Sequence, residues 1–230
     1  MKNNRQVHLD QAFITQHQLS HAEPAPDALF WKLWNANVAT AKQALETKFV
    51  QGIKSGKLDP TVYGAFNISD AYYCFHGAED YQTAASRALN PTLKAYLLKK
   101  YNSYKSYNDT FPQTWRIKDG SSIVPTKACA EYAAYESTIV STEAPIYCII
   151  LMLPCEYLWA WLGAQLSPPT ANNLYTSWIT GNNDPSGAYT MGNFIEEYQA
   201  SNPIDEAKAM EIYSKAMRFE LENFISAFDQ

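Results

Sequence analysis

Three side chains able to transfer a proton or bond to carbon stand where the sequence predicts an apolar helix face. Asp70 lies in AFNISDAYYCF, four residues after Phe66 and three before Tyr73. Cys155 has Leu151 four residues before it and Trp159 four after. Glu220, in AMRFELENF, is flanked at four residues by Ala216 and Phe224. Residues three and four apart share a helix face, so all three polar groups are directed toward the interior. A carboxylate there is costly unless it is paired or hydrogen-bonded. Two of them from separate helices imply a polar ligand or an internal network. The thiol is the nucleophile of the set, and carboxyl groups can pass protons to and from it. Each residue also has a plainer role. A buried cysteine is usually a small hydrophobe, Asp70 can accept from tyrosine hydroxyls, and Glu220 can face solvent beside Glu222. Tyr72, Tyr73, Tyr132 and Tyr135 fit a core as well as a site.

The element that must carry Cys155 is the apolar run EAPIYCIILMLPCEYLWAWLGAQL, Glu143 to Leu166, which has no charged residue between Glu143 and Glu156. A membrane helix, a buried core helix and the floor of a pocket all satisfy such a run. Its length is enough for a span of about 20 residues. Pro154 and Glu156 fall at its centre, however, and a mid-span carboxylate is costly in lipid. The remaining chain carries no second such run, so the segment reads as a buried helix. Pro154 cannot bond to the Ile150 carbonyl, which predicts a kink beside a pocket.

The other helices follow from the same periodicity. Phe30, Trp31, Trp34, Val38, Ala41, Leu45 and Phe49 mark one helix, broken by GIKSGKLDP. Asp59-Pro60, Asn90-Pro91 and Asn202-Pro203 read as cap-plus-proline helix starts. They open helices reaching about Ala85, about Asn108 and the C-terminus. Between them the pattern predicts helices over Thr126–Ser141 and Pro145–Leu166, a short one over Leu174–Ile179, and one over Met191–Ala200. FPQTWRIKDGSSIVP and TGNNDPSG read as loops. No run alternates like a strand, and no repeat of 20–50 residues occurs. The expected architecture is one all-α domain over residues 27–230, a bundle of about seven or eight helices. Residues 1–26 are read as a loosely packed polar extension.

Composition narrows the function classes. The chain has 230 residues, 47% hydrophobic and 18% charged, with 16 Tyr, 10 Phe and 6 Trp. That is globular rather than disordered. The net charge of −5 and the lack of a Lys/Arg block argue against a nucleic-acid partner. Cys74, Cys129, Cys148 and Cys155 form no CxxC pair, and the N-terminus lacks a signal-peptide run. Both features favour reduced thiols and a cytoplasmic location. No histidine follows His76, which leaves only His76 with Glu79 toward the Glu-x-x-His steps of a di-iron bundle. His17 and His21, four apart, are weak candidates for a metal or haem. The expectation is no metal and no cofactor.

Four segments together resemble the TenA family. They are FVQGIKSGKLDPTVYGAFNISDAYY, ILMLPCEYLWAWLG with its Leu-Pro-Cys, YTSWITG, and FELENFISAF, in the family's order and spanning about residues 45–228. The resemblance implies the haem-oxygenase-like all-α fold. It implies thiaminase II chemistry, the hydrolytic release of hydroxymethyl-pyrimidine from thiamin or an aminomethyl-aminopyrimidine. It also implies a homo-oligomer, dimer or tetramer. Position by position, Cys155 matches the family's nucleophile, Asp70 the aspartate that binds the pyrimidine amine, and Glu220 the proton-handling glutamate. Tyr73 and Tyr132 match pocket tyrosines, with Phe66, Trp159 and Asn182 also expected to contact substrate. The chain departs from the family pattern at Ser69 (Gln in the family), Phe224 (Trp), and Trp159 and Asn182 (both Tyr). A ligand-binding protein without turnover is the alternative on the same scaffold, and an oxidative enzyme using metal or quinone-like chemistry is a third possibility that the few histidines disfavour.

Overall fold

The computed structural model describes residues 20–229, all helix and connecting segments without a strand. Eight helices have eight residues or more: α1 (Leu29–Leu45), α2 (Lys48–Ser55), α3 (Pro60–Arg87), α4 (Pro91–Asn108), α6 (Lys127–Thr142), α7 (Ile146–Leu166), α9 (Ser186–Gln199) and α10 (Glu206–Ser226). Two short turns of helix, α5 (Phe111–Thr114) and α8 (Thr176–Gly181), lie in the connections.

The helix ends are set by local chemistry. The Asp59 carboxylate accepts from Thr61 N and the Asn90 amide oxygen from Thr92 N and Leu93 N, with proline at the first helical position of each. The expected single helix through Phe49 is two. Thr47 accepts from Val50 N and starts α2, while Gly56, at φ 69°, ends it in the left-handed conformation that glycine adopts without a Cβ clash. The predicted start at Asn202-Pro203 is displaced to Asp205, whose carboxylate accepts from both Ala207 N and Lys208 N. α9 begins five residues before the expected Met191, because Asp184-Pro185 is another acid-proline start, with Asp184 Oδ1 accepting from Ser186 N at 2.9 Å. The loop after α4 carries α5 and one turn of 3-10 helix, Gly120–Ser122, that Asp119 caps.

α7 is the central element. It packs against α3, α6, α8, α9 and α10, and Ile149 through Leu153 are fully buried. By length and composition it could cross a membrane, but its apolar surface is spent inside the bundle, where each such side chain contributes about 1.5–3 kcal/mol. The helix runs through Pro154 without a break. Around it α3 pairs with α4 and α6, and α10 closes the bundle against α1, α6 and α7.

Of the N-terminal extension, residues 1–19, His17 among them, lie outside the described residues. Residues 20–23 are exposed and Pro24 is buried, and the segment is tied to α9 and α1 by hydrogen bonds. Asn193 Nδ2 donates to the Ser20 and Ala22 carbonyls, Thr190 and His21 are hydrogen-bonded, and Trp31 Nε1 donates to the Pro24 carbonyl.

Candidate functional site

A cavity of about 440 Å³ opens between α3, α4, α7 and the segment after α8. Asp70 and Tyr73 enter it from α3, Tyr104 and Lys100 from α4, Cys155 and Trp159 from α7, and Asn182 and Asp184 from the α8–α9 connection. Five of the eight expected site residues therefore line one space: Asp70, Tyr73, Cys155, Trp159 and Asn182. Of the four cysteines, Cys74, Cys129 and Cys148 are buried, while Cys155 is partly exposed, at the cavity wall.

Glu220, Tyr132 and Phe66 do not line the open cavity; they stand behind it. Glu220 on α10 is 2% exposed. Its Oε1 accepts from the Tyr132 hydroxyl and its Oε2 from Trp159 Nε1, both at 3.1 Å. The Cys155 thiol lies within hydrogen-bonding reach of the same carboxyl. Trp159, without a hydroxyl, thus supplies an indole N–H that anchors Glu220. Phe66 is buried and supports this wall instead of facing a ligand. Its ring stacks on Phe224 at 5.7 Å and 12° and lies 6.2 Å from Trp159, while Trp159 also packs on Trp178 at 5.5 Å.

Burial controls the titrations. Asp70 is raised to about 7 by desolvation. Its one side-chain hydrogen bond among the described contacts is from the Cys74 thiol at 4.0 Å, so nothing strong compensates a charge there. Glu220 is raised to about 7, first by burial and then by Asp70, while its bonds from Trp159, Tyr132 and Cys155 hold it down. Burial drives the Cys155 thiol well above the ordinary cysteine range, with Glu220, Glu156 and Asp70 adding to it. The unliganded thiol is therefore protonated at neutral pH, and a base must take its proton as it attacks. Glu220, on which the thiol acts, is a candidate for that base.

Asn182 sits at the C-terminal end of α8, where its Nδ2 donates to the Trp178 carbonyl at 2.8 Å. Gly163 on α7 allows this: a Cβ there would meet the Asn182 carbonyl carbon at 2.7 Å. Lys100 and Glu156 form an ion pair on the cavity wall, their side chains 14% and 23% exposed. Sequence reasoning missed this pair, Tyr104, whose hydroxyl is 3.9 Å from Cys155 Sγ, and two buried carboxyl groups, Asp80 and Glu136. The signal was present for the last two. Cys129, Tyr132, Glu136 and Val140 follow three- and four-residue steps, as do Tyr73, Gly77 and Asp80. Among the described residues no group of three His, Cys, Asp or Glu side chains is placed to hold a metal ion; His76 pairs with Glu79 at 3.5 Å.

Fold and cavity together define an all-α bundle with a thiol and carboxyl groups meeting at one open cavity. Solved structures that it resembles include TenA proteins. A TenA homologue from P. horikoshii OT3 superposes with a TM-score of 0.75 at 16% identity, covering 88% of this chain and 99% of its own. A TenA family transcription regulator from Silicibacter sp. TM1040 gives 0.74 at 12%, covering 88% and 97%. A candidate TenA-like thiaminase from Sulfolobus solfataricus P2 gives 0.68 at 11%, covering 86% and 94%. The chain has the TenA fold. No family model matches the sequence, and no curated protein matches it.

Proposed function

We propose that the chain is a TenA-type aminopyrimidine hydrolase of the cytoplasm, acting as a homo-oligomer on thiamin or an aminomethyl-aminopyrimidine. The observation that carries the reading is the meeting of Cys155 and Asp70 in one cavity whose wall residue Trp159 is hydrogen-bonded to Glu220. In this reading Asp70 anchors the amino group of the ring, and Tyr73 and Trp159 line the space around it. Glu220 takes the thiol proton as Cys155 sulfur adds to an electron-poor ring carbon. A ring nitrogen gains a proton in the adduct, and the bond from the exocyclic CH₂ to the leaving group breaks. Water then adds to that carbon, losing a proton to a carboxylate, and sulfur is expelled to restore the ring and the thiol.

A second reading, a binding protein without turnover, draws on the bond from Trp159 to Glu220, which occupies one oxygen of the proposed base. One experiment separates the two. Purified protein is incubated with thiamin and with aminomethyl-aminopyrimidine, and hydroxymethyl-pyrimidine is assayed. Turnover lost in Cys155→Ala supports hydrolysis. Stoichiometric binding without product supports the second reading, and full activity in Cys155→Ala removes the proposed nucleophile.

A further inference from the structure

Two carboxyl groups outside the proposed chemistry lie behind the cavity wall. Glu136 on α6 is fully buried and Asp80 on α3 is 3% exposed. Glu136 Oε1 accepts from the Tyr73 hydroxyl at 3.0 Å. Asp80 Oδ1 accepts from Ser137 Oγ at 2.9 Å, which brings the Asp80 carboxyl against the residue next to Glu136. The second oxygen of each group, Glu136 Oε2 and Asp80 Oδ2, is buried without a hydrogen-bond donor. The groups acting most strongly on Glu136 are Asp80 and Tyr73 on α3, Glu220 on α10 and Tyr132 on its own helix, none of them a cation.

Two ionised carboxylates with no cation among the groups acting most strongly on Glu136 repel each other and forgo their hydration. One proton between them would remove a charge and, with Glu136 Oε2–H directed at Asp80 Oδ2, would satisfy both bare oxygens. Burial raises both groups, Asp80 to about 7 and Glu136 well above the ordinary carboxylate range, and we place the shared proton on Glu136, whose Oε2 has no other partner. Its Oε1 is then a carbonyl-type acceptor at 3.0 Å, a stronger partner for the Tyr73 hydrogen than the Met152 thioether at 3.6 Å, which also lies in the interior. The Tyr132 hydrogen is spent on Glu220 in the same way.

We propose that Glu136, sharing one proton with Asp80, is a positioning residue that turns the Tyr73 hydrogen out of the cavity. Tyr73 then meets a ligand with its oxygen lone pairs only. With Asp70 ionised, one helical turn away on α3, the two make a pair of acceptors that suits a ligand presenting N–H donors. That the donor belongs to an aminopyrimidine rests on the function proposed above; the orientation of Tyr73 does not.

The experiment has two arms that need no substrate and one that does. Denaturant unfolding between pH 5 and 8 should show the wild type losing stability as pH rises, because Glu136 keeps its proton in the fold and loses it on unfolding. In Glu136→Gln that loss should be shallower by one proton, about tenfold per pH unit in the folding equilibrium constant. An unchanged slope would mean that Glu136 is ionised in the fold and overturns the shared proton. In proton NMR, the Tyr73 hydroxyl signal, identified by its absence in Tyr73→Phe, should persist in Glu136→Gln and vanish in Glu136→Leu. A signal unmoved in Glu136→Leu overturns the positioning role. Should that variant not fold, the Gln variant decides by its slope and by retention of the signal. In turnover, Glu136→Leu should cost roughly 10–100-fold in kcat/KM, and Glu136→Gln should recover most of it. Tyr73→Phe added to Glu136→Leu should cost less than twofold more; full additivity counts against the coupling. A wild type without turnover fails the function proposed above, and the first two arms still decide this one.

Discussion

Asp70→Asn should make the protein more stable at pH 8 and leave it nearly unchanged at pH 4. The Asp70 carboxyl is raised from 3.8 to about 7 by desolvation, and its one described side-chain partner is a thiol 4.0 Å away. The fold therefore favours the protonated form. The stability that this raised value confers is fully present below about pH 4 and is lost as pH rises through about 7. At pH 8 the wild type carries an ionised Asp70 at a cost bounded by the gap in proton affinity, ~4 kcal/mol at 1.36 kcal/mol per unit. Asp70 opens onto the cavity, and water reaching it from that side brings the expected gain to about 2–3 kcal/mol. For a chain of this size that is roughly 4–12 °C in Tm. Thermal melts and denaturant titrations of wild type and variant at pH 4, 6 and 8 measure it, with the difference growing through pH 7. A variant less stable than wild type at pH 8, or a difference equal at pH 4 and 8, would refute the account of Asp70 as an uncompensated carboxylate held ready for a ligand. The same variant should lose ligand affinity, a gain in stability opposed by a loss of function.

Trp159→Phe keeps a ring against Phe66 but removes the donor to Glu220 Oε2. Because that bond holds the Glu220 proton affinity down, the acid limb of the pH–rate profile should move to higher pH, with roughly a tenfold loss of kcat/KM at pH 7. Gly163→Ala places a Cβ 2.7 Å from the Asn182 carbonyl carbon. It should destabilise by about 1–3 kcal/mol, read by denaturant unfolding, since backbone rather than a flexible tip must move. Iodoacetamide under native conditions should label Cys155 before the three buried cysteines, as followed by peptide mass mapping. The labelling rate should still be rising above pH 9, because burial and the neighbouring carboxyl groups hold the thiol proton. A rate saturated at pH 7 would show a thiolate already formed and remove the need for Glu220 as its base.

The fold was legible wherever a local rule had no competitor. Asp59-Pro60 and Asn90-Pro91 each place a side-chain acceptor and a residue with a fixed φ at the same helix start, and both helices begin there. Asn202-Pro203 offers the same pair of residues, but Asp205 lies closer to the amphipathic run, accepts from two backbone N–H groups, and sets the start. Thr47 escaped notice because apolar periodicity continues across it from Leu45 to Phe49; the turn between α1 and α2 keeps both helices facing the same core. Glycine 163 was illegible for another reason. Its role depends on the close approach of the α8–α9 connection, a tertiary contact with no trace in the neighbouring residues.

The site was legible as a set of polar residues on apolar faces, and its division into layers was not. Periodicity places Asp70, Cys155, Glu220, Tyr132 and Phe66 inward alike. Which of them meets open space is settled by the bulk of their neighbours. Trp159 fills the space in front of Glu220 and Phe66, so that Asp70, Tyr73 and Cys155 stay on the surface of the cavity. Trp159, which a comparison of residue types scores as the loss of a hydroxyl, supplies an N–H to the Glu220 carboxyl. Asp80 and Glu136 satisfied the spacing rule that singled out Asp70, yet a carboxyl on such a face is informative only once its partner is known. With the partner known, the inference reverses. Two bare oxygens on adjoining helices are less a defect of packing than a count of the protons the core must hold, and that count fixes the hydrogen of Tyr73, one layer nearer the ligand.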